Sequence, residues 1–421
     1  MITMADMSPR EMFLKRAFQR FYSKSLPPPP LRFTLREYAY FPFNSNMMIR
    51  HLSVRNLDDY KTLYLQKVPR HVYYSSAFYR RPDQQPMEEK IKGWLGAELI
   101  FDLDSDHISG AENLPYPEQL KEVKRFFVRL IDEFMIPDFG IDQKYLKINF
   151  SGGRGYHLHV IDPALFTLDS HQRREIVDYI TGKGIDPEAL LHRKRRRVGR
   201  RGYEKDVEVY YLPSKDSWGW SGKLRRAAED FMKELGESDE EDAVEEIYEL
   251  AKSAGIGWGR RRAERLYEML FLTPGASMRR RKMLEEGVLD TLPDQYRKGL
   301  LHVVREYSAV HLGGETDEPV TTDTKRIIRV PGSLHGKSTL LAKPLTLEEL
   351  EPFDPLSDAV VLPESPEVVV RAVRRGTVAL KDVKVSFEEG EEVPLPFYAA
   401  AFLLGTGMAV LEREEEVHKK I

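Results

Sequence analysis

The sequence predicts an α+β protein in which a sheet-rich part is interrupted by a long, charged helical segment. Short apolar strands alternate with single helices up to about residue 163. Apolar residues then recur at helical spacing, among dense charges, until about residue 307. Strand signals return at residues 326–330. The chain is therefore predicted to comprise three segments, 1–169, 170–307 and 308–421.

Composition limits the class of protein. Of 421 residues, 41% are hydrophobic, which permits a real core, and 31% are charged. The net charge of −3 hides local imbalance, because 64 basic residues stand against 67 acidic ones. The absence of cysteine excludes disulfides and cysteine-ligated zinc or iron–sulfur sites. With no apolar stretch of membrane-spanning length and no signal-peptide pattern, we expect a soluble, cytoplasmic protein without membrane contact.

The individual elements follow from local pattern. An amphipathic helix is predicted at residues 7–23 and is ended by the prolines at 27–30. Period-two and aromatic-rich stretches predict strands, and an apolar stripe predicts one more helix before residue 146. These elements are strands within 36–51, 72–79 and 97–104, a helix at 117–134, strands at 146–150, 156–161, 326–330, 368–373 and 383–387, and one or two final helices within 395–421.

The most informative segment is residues 98–107, an apolar strand with aspartates at alternate positions near its end. Because side chains in a strand alternate between faces, Asp102, Asp104 and Asp106 are predicted to project to one side. Like charges this close are costly unless a cation lies between them. Carboxylate oxygens of this kind suit Mg²⁺ or Mn²⁺. The segment therefore predicts a divalent metal site.

A second segment, residues 148–160, reads as a strand, a glycine-rich turn and a second strand. The backbone N–H groups of the turn and the Arg154 guanidinium suit a phosphate group. His157 and His159 share a strand face, which also raises a metal pair or a two-histidine phosphoesterase. The phosphoesterase needs Thr or Ser two positions after each histidine, and His159 is followed by Val160 and Ile161. We interpret the segment as a phosphate site, with His159 more structural than His157.

Two further segments carry dense charge. Residues 193–201 form a basic run that either contacts a nucleic-acid backbone or lies on a solvated face. Residues 316–337 combine carboxylates, an apolar strand with Arg329, and a turn that ends in His335 and Lys337. This third segment offers a further metal ligand and further phosphate contacts, or else is a charged surface hairpin. A metal site followed by phosphate sites indicates nucleotide chemistry.

Taken in order, three motifs resemble those of the archaeal–eukaryotic DNA primase small (catalytic) subunit, and the third points to the archaeal branch. They lie at residues 101–104, 151–157 and 317–337, while residues 36–40 resemble the N-terminal Arg-Glu-aromatic element of the family. The resemblance spans about residues 36–343. It implies a primase-like α+β catalytic domain with a mixed sheet, and a mostly helical subdomain inserted between the second and third motifs.

The resemblance also implies roles for individual side chains. Asp102, Asp104 and Asp317 would be the catalytic, metal-binding carboxylates, with Asp323 as an alternative to Asp317. A second set would bind the incoming nucleotide, chiefly its triphosphate. This set is Ser151, Arg154, His157, Arg329, His335, Lys337 and Arg50.

The activity implied is template-directed synthesis of short RNA primers on single-stranded DNA for replication, by two-metal nucleotidyl transfer with Mg²⁺ or Mn²⁺. Nucleoside triphosphates are the implied substrates, and use of deoxynucleotides stays open. The implied partner is a large regulatory subunit in a heterodimer. The family usually carries a cysteine-containing zinc knob after the first motif. Zinc is doubtful here, because the chain has no cysteine and residues 106–119 are short and polar.

Three other interpretations stay open at the level of sequence. A repair-type primase-polymerase would extend primers or fill gaps with either sugar. A haloacid-dehalogenase-like phosphohydrolase would use Asp102 as a covalent nucleophile, but Ser105-Asp106 replaces the usual Gly-Thr and the later motifs would have no role. A non-enzymatic nucleic-acid scaffold that uses the basic run would tolerate loss of the aspartates.

Overall fold

The computed structural model describes residues 7–85, 89–108, 113–198, 205–310 and 318–411, which fall into two compact units. Unit 1 comprises Met1–Arg125, Asp142–Arg174 and Thr316–Ile421. Unit 2 comprises Phe126–Ile141 and Glu175–Glu315. Helices and strands are both abundant, which confirms the predicted α+β class. None of the helices in these ranges is both long and apolar enough to cross a membrane.

The strands are short, from two to seven residues. In chain order they are β1 (Tyr38–Phe41), β2 (Ile49–Leu52), β3 (His71–Ser75), β4 (Ala77–Tyr79), β5 (Trp94–Ala97), β6 (Leu99–Asp104), β7 (Leu146–Phe150), β8 (Gly155–Val160), β9 (His192–Val198), β10 (Lys205–Tyr211), β11 (Ile327–Arg329), β12 (Pro344–Leu345), β13 (Val368–Ala372), β14 (Gly376–Leu380), β15 (Val383–Phe387), β16 (Glu392–Leu395) and β17 (Ala409–Leu411). Of these, β9 and β10 belong to unit 2.

Helices flank the strands of unit 1 and make up most of unit 2. They are α1 (Pro9–Lys24), α2 (Leu57–Leu65), α3 (Glu89–Lys92), α4 (Tyr116–Arg129), α5 (Ser170–Ile180), α6 (Trp220–Glu237), α7 (Glu240–Ser253), α8 (Arg260–Tyr267), α9 (Ala276–Glu286), α10 (Asp294–Ser308), α11 (Glu318–Thr322), α12 (Leu347–Leu350), α13 (Pro355–Asp358) and α14 (Phe397–Thr406). Short π-helical segments, Leu130–Met135 and Glu268–Leu272, continue α4 and α8.

Unit 1 contains two four-stranded sheets, ordered β11-β3-β1-β2 and β12-β7-β8-β6. Every strand pair in the described ranges is antiparallel, so the predicted mixed sheet is wrong. For β7 and β8 the physical reason is the connection: the turn between them holds only residues 151–154, and a turn that short reverses the chain. Smaller sheets comprise β16-β13-β17, β14-β15 and β4-β5.

The start of α1 shows how local chemistry sets an element boundary. The Ser8 hydroxyl accepts a hydrogen bond from the backbone N–H of Glu11, and the Glu11 carboxylate accepts one from the backbone N–H of Ser8. Pro9 then occupies the first helical position, where its missing N–H costs nothing. The helix therefore begins two residues later than the pattern of apolar residues suggested.

A buried ion-pair network joins the two large sheets of unit 1. Arg36 is fully buried, pairs with Glu98, and donates to the Ser75 carbonyl at 2.6 Å. Glu98 also lies 3.0 Å from Nδ1 of His159, which stacks on the Tyr74 ring. Burial raises the pKa of Glu98, but Arg36 and His159 outweigh it and hold that pKa below its ordinary value. His159 is thus structural, and loss of any member would leave a buried charge without its partner.

Unit 2 has its own apolar core, formed by residues such as Leu224, Phe231, Ile247, Leu266 and Leu300. Helices α6–α10 supply most of this core. The basic run is not helical: its described part forms β9, which pairs along its whole length with β10.

Candidate active site

The end of β6 presents two carboxylates beside the start of β8. The side chains of Phe101 and Leu103 are buried, whereas Asp102 and Asp104, at the intervening positions, are half-buried. Asp102 lies opposite His157 of β8, with its Oδ1 3.5 Å from Nε2 of the histidine. Alternation along the strand therefore puts both carboxylates on one face, where the Asp102 side chain is 21% exposed and the Asp104 side chain 33%.

Asp106 lies beyond the end of the strand, so the alternation that predicted its direction does not apply to it. The strand ends at Asp104, and Ser105–His107 form a 3₁₀ turn that breaks the period of two. Asp106 instead pairs with the guanidinium of Arg154. The Ser105 hydroxyl, 3.2 Å from the Gln119 side-chain oxygen, helps to hold the turn.

The glycine-rich turn lies directly beside these carboxylates, because β7 and β8 flank it and Gly155 pairs with Asp104. The Ser151 hydroxyl accepts hydrogen bonds from the backbone N–H groups of Gly153 and Gly155, both at 3.2 Å. A Cβ on Gly155 would lie 2.1 Å from the Leu103 carbonyl oxygen. Only glycine lets the two strands approach this closely.

Arg154 brings a positive charge to the carboxylates. Its side chain is 45% exposed, and its Nε lies 3.7 Å from Oδ1 of Asp104. Together with the bond to Asp106, this contact holds the guanidinium at the mouth of the turn. The partly exposed Arg154 guanidinium can bind phosphate, and the carboxylates beside it can bind a divalent ion. The arrangement therefore suits a ligand that carries both.

His335 packs against the same turn from the third motif. A Cβ on Gly152, where φ is +77°, would lie 2.9 Å from the His335 Cβ. The backbone N–H groups of Ser338 and Lys337 donate to Nδ1 of His335 at 3.1 and 3.4 Å. These bonds assign the ring proton to Nε2, which faces the Gly153 side of the turn. Ser338 also donates through its hydroxyl to the Gly152 carbonyl, and so ties the two segments together.

Arg329 is the common neighbour of the histidines. Its Nη1 lies 2.9 Å from Nδ1 of His71, and its guanidinium lies over the Tyr73 ring at 5.1 Å. Burial lowers the pKa of His71 to about 2, with the charge of Arg329 as the next cause. Burial and Arg329 also contribute to the lowered pKa values of His157 and His335. The three rings are therefore neutral near pH 7 and act as hydrogen-bonding groups.

The other two basic residues predicted to bind the nucleotide are Lys337 and Arg50, and their contacts differ. Lys337 is exposed, and its positive charge helps to lower the pKa values of His71 and His335. Arg50 is held by Glu37, with 3.1 Å between Nε and Oε1, and Glu37 also binds the buried Lys92. The contacts of Arg50 thus belong to a second buried ion network.

The third predicted carboxylate, Asp317, lies outside the described residues. The helix α11, which begins at Glu318, packs against β6. The alternative, Asp323, is exposed, and its Oδ1 accepts a hydrogen bond from the backbone N–H of Lys325 at 2.8 Å. Across the described ranges, His, Asp and Glu form no group of three or more suited to a metal ion. The described chain thus contains two of the three carboxylates that the resemblance implies.

Sequence reasoning missed several side chains that shape the site. Tyr116 donates to the Gly153 carbonyl at 2.6 Å, and burial together with the charge of Asp104 raises its pKa. His71 and Tyr73 hold Arg329, and Ser338 holds His335. The alternate positions of His71 and Tyr73 on β3 were visible in the sequence, but their partner lies more than 250 residues away.

We expect His71→Gln to flatten the dependence of stability on pH. The pKa of His71 is about 2 in the folded protein and near 6.5 in the unfolded chain. As pH falls below 6.5, His71 binds a proton in the unfolded chain but not in the folded protein. The free energy of unfolding therefore decreases on acidification. Between pH 5 and 6 the loss approaches about 1.4 kcal/mol per pH unit. Urea unfolding at several pH values measures this slope.

The matched control is His192→Gln, because the ring of His192 is exposed on β9. This variant measures how much a His→Gln exchange at an exposed position changes the slope by itself. An equal slope in His71→Gln and wild type would contradict the assignment of His71 as a buried neutral group.

Comparison with known proteins gives a consistent result. A family model described as DNA primase small subunit matches residues 101–347. The protein named DNA primase small subunit PriS in Methanothrix thermoacetophila is 38% identical over 404 residues, which is 94% of this chain and 98% of that protein. Proteins of the same name from Methanococcoides burtonii and Halorubrum lacusprofundi are 35% and 36% identical, each over 94% of this chain and 97% of their own length.

Proposed function

Because the chain belongs to the DNA primase small subunit family, we propose that Asp102, Asp104 and Asp317 form its catalytic metal site and that the glycine-rich turn receives the nucleotide. The family is one of nucleotidyltransferases that make RNA primers for DNA replication, and this chain has that catalytic role. The roles of the three carboxylates and of the phosphate-binding residues are our additional proposal.

One observation carries the proposal. The carboxylates at the end of β6 lie beside the glycine-rich turn, with Asp104 and Arg154 only 3.7 Å apart. A nucleoside triphosphate with its bound cation needs carboxylates that bind the cation and, next to them, a positive side chain that binds the phosphates. Asp317, outside the described residues, is proposed as the third carboxylate from the family resemblance of the third motif.

The family uses a divalent metal, and the donor atoms here fit one. Asp102 and Asp104 offer hard oxygen ligands on a half-exposed strand end, which suits Mg²⁺ or Mn²⁺. When bound, such ions would lower the pKa of the attacking 3′-hydroxyl and balance the charge of the departing pyrophosphate. The chain offers no cysteine for zinc.

The surrounding side chains would bind and orient the triphosphate. Arg329 and Arg154 supply guanidinium groups that fit phosphate oxygens, and Lys337 adds a mobile positive charge. His335 would donate through Nε2–H without adding charge, because its Nδ1 accepts from the backbone N–H of Ser338. Ser151 would donate its hydroxyl proton. His157, neutral beside Asp102, orients that carboxylate. Arg50 remains a proposed member of this set, although its pairing with Glu37 leaves only part of its guanidinium for a ligand.

The finer architecture is also a proposal. We take residues 1–169 and 308–421 as one primase-like catalytic domain and residues 170–307 as a mostly helical insertion. The compact units support most of this division, because unit 1 gathers most of the first and last parts of the chain and unit 2 holds α6–α10. They differ from it at Phe126–Ile141, which groups with unit 2.

The partners follow from the same assignment. The words "small subunit" in the names of the relatives indicate a large subunit, and we propose that this chain forms a heterodimer with one. Single-stranded DNA would be the template, and nucleoside triphosphates, with deoxynucleotides as further candidates, would be the substrates. The comparisons do not favour a repair-type primase-polymerase, a haloacid-dehalogenase-like phosphohydrolase or a scaffold, since the relatives share one primase name over nearly the whole chain.

Unprimed synthesis on a single-stranded DNA template tests the proposal. With labelled ribonucleotides and Mg²⁺ or Mn²⁺, we expect template-dependent oligomers, and more of them when the large subunit is present. Parallel reactions with deoxynucleotides measure sugar preference. Products that form equally without template, or released inorganic phosphate without oligomers, would contradict the assignment.

A further inference from the structure

The basic run lies on one strand of a two-stranded ribbon whose two faces differ in charge. Strand β9 pairs antiparallel with β10, and the register places Arg195 opposite Glu208 and Arg197 opposite Asp206. Because side chains alternate along a strand, residues 193, 195 and 197 share one face, and 194 and 196 share the other. We name these the neutralised face and the cationic face.

On the neutralised face, two of the three arginines lie opposite acidic side chains. Arg197 pairs with Asp206 at 3.5 Å, and Arg195 faces Glu208 across the ribbon. Arg193 lies over the ring of Tyr210, which also receives the Arg297 guanidinium at 3.7 Å. Tyr210 packs against the core of unit 2, so this end of the face is anchored to the unit.

The cationic face has no such balance. Lys194 and Arg196 are both exposed, and within the described chain neither forms an ion pair with a carboxylate. Their cross-strand neighbours are Val209 and Val207, and Val207 is 36% exposed. Lys194 lies 5.3 Å from the ring centre of Tyr211 on the same face. Val209 is buried, so the exposed groups of this face are two cations, the partly exposed ring of Tyr211 and Val207.

We propose that this cationic face binds the sugar-phosphate backbone of single-stranded template DNA. Two cations two positions apart on a strand are roughly 7 Å from each other, comparable to the spacing of successive phosphates along an extended single strand. Single-stranded nucleic acid is typically bound by cations that follow its backbone and by rings on which its bases stack. Lys194 and Arg196 supply the cations and Tyr211 the ring. The proposal rests on the primase role and adds a template contact to it.

The neutralised face of the ribbon provides a matched control. Binding of fluorescein-labelled oligo(dT) to the full chain is measured at several salt concentrations, without nucleotides or divalent metal. Lys194→Ala/Arg196→Ala and Arg195→Ala/Arg197→Ala each remove two positive charges from β9. The slope of log affinity against log salt should fall by about 1.4 in the first variant, since each single-strand phosphate contact contributes roughly 0.7. The second variant should stay close to wild type.

Other outcomes overturn the proposal. Equal losses in the two variants would mean that only bulk charge matters, and no loss in either would mean that the ribbon does not touch DNA. Polyglutamate that competes as well as oligo(dT) does would indicate an acidic protein partner instead. Thermal unfolding of both variants checks that the ribbon remains folded. Primer synthesis by the wild-type chain is assayed separately, so failure of this proposal differs visibly from failure of the primase assignment.

Discussion

Asp102→Asn/Asp104→Asn should abolish template-directed synthesis. The exchange keeps the shape of both side chains at the end of β6 but removes the negative charge that would hold divalent cations. Metal ions in such sites contribute several kcal/mol of transition-state stabilisation, so the rate should fall by at least ~10³-fold. Rates of labelled nucleotide incorporation on single-stranded DNA measure the loss.

Stability gives a second readout of the same variant. In wild type, Mn²⁺ or Mg²⁺ should raise the free energy of unfolding, by about 2.7 kcal/mol at a hundredfold excess over Kd. In Asp102→Asn/Asp104→Asn this gain should vanish. Without metal, the variant should be at least as stable as wild type, because two neighbouring negative charges are gone.

Asp216→Asn/Asp382→Asn is the matched control, because both aspartates are exposed and lie away from β6 in the sequence. It should keep both the activity and the stabilisation by metal. If Asp102→Asn/Asp104→Asn kept substantial activity, the catalytic carboxylates would have to lie elsewhere. If metal still stabilised that variant, a metal site independent of β6 would be required.

The parts of unit 1 that sequence alone predicted are those encoded locally. Alternation of Phe101 and Leu103 with Asp102 and Asp104 predicts a strand with one buried face, and the structure has that strand. The glycines between β7 and β8 predict a tight turn, and Gly152 indeed has a positive φ. Short-range patterns are sufficient here because each element contains its own signal.

Sequence reasoning failed where the signal lay in a distant partner. Strand β9 consists almost entirely of basic residues, so it has no apolar period. The hint of a strand lies in β10, in Val207, Val209 and the two tyrosines that follow. The strand β17 was missed within a tail predicted to be helical, because it has three residues and pairs with β13. The helical part of that tail does exist, as α14.

The residues of the candidate active site also fall into two groups, those predictable from local sequence and those that depend on distant partners. The motif residues are recognisable in the sequence because Asp, Arg, His and Ser residues with catalytic or ligand-binding potential lie within a few positions of each other. The supporting residues His71, Tyr73 and Ser338 are ordinary in sequence, and their roles arise from contacts with Arg329, His335 and the glycine-rich turn. Asp317 was predicted from the resemblance alone, and it stays a prediction.

Arg329→Gln should weaken nucleotide use by about 10²-fold in kcat/KM, the scale of one preorganised electrostatic contact. His71 and Tyr73 fix the guanidinium before any ligand arrives, so its phosphate contact costs little reorganisation. If the contact is made to the bound triphosphate, most of the loss should appear in KM. Arg329→Lys keeps the charge but loses the planar fork, so it should recover only part of the loss. Incorporation rates over a range of nucleotide concentrations separate the two constants.

In Arg329→Gln, the pKa values of the neighbouring histidines show whether the loss comes from a missing phosphate contact or from damage to the fold. Arg329 lowers the pKa values of His71, His157 and His335, so removal of its charge should raise all three in an otherwise intact fold. NMR titration of the imidazole rings measures this shift. The control Arg375→Gln removes an exposed guanidinium paired with Glu388 at 3.3 Å and should change neither KM nor the histidines. A shift of the histidines with an unchanged KM would mean that Arg329 organises the pocket without touching the nucleotide.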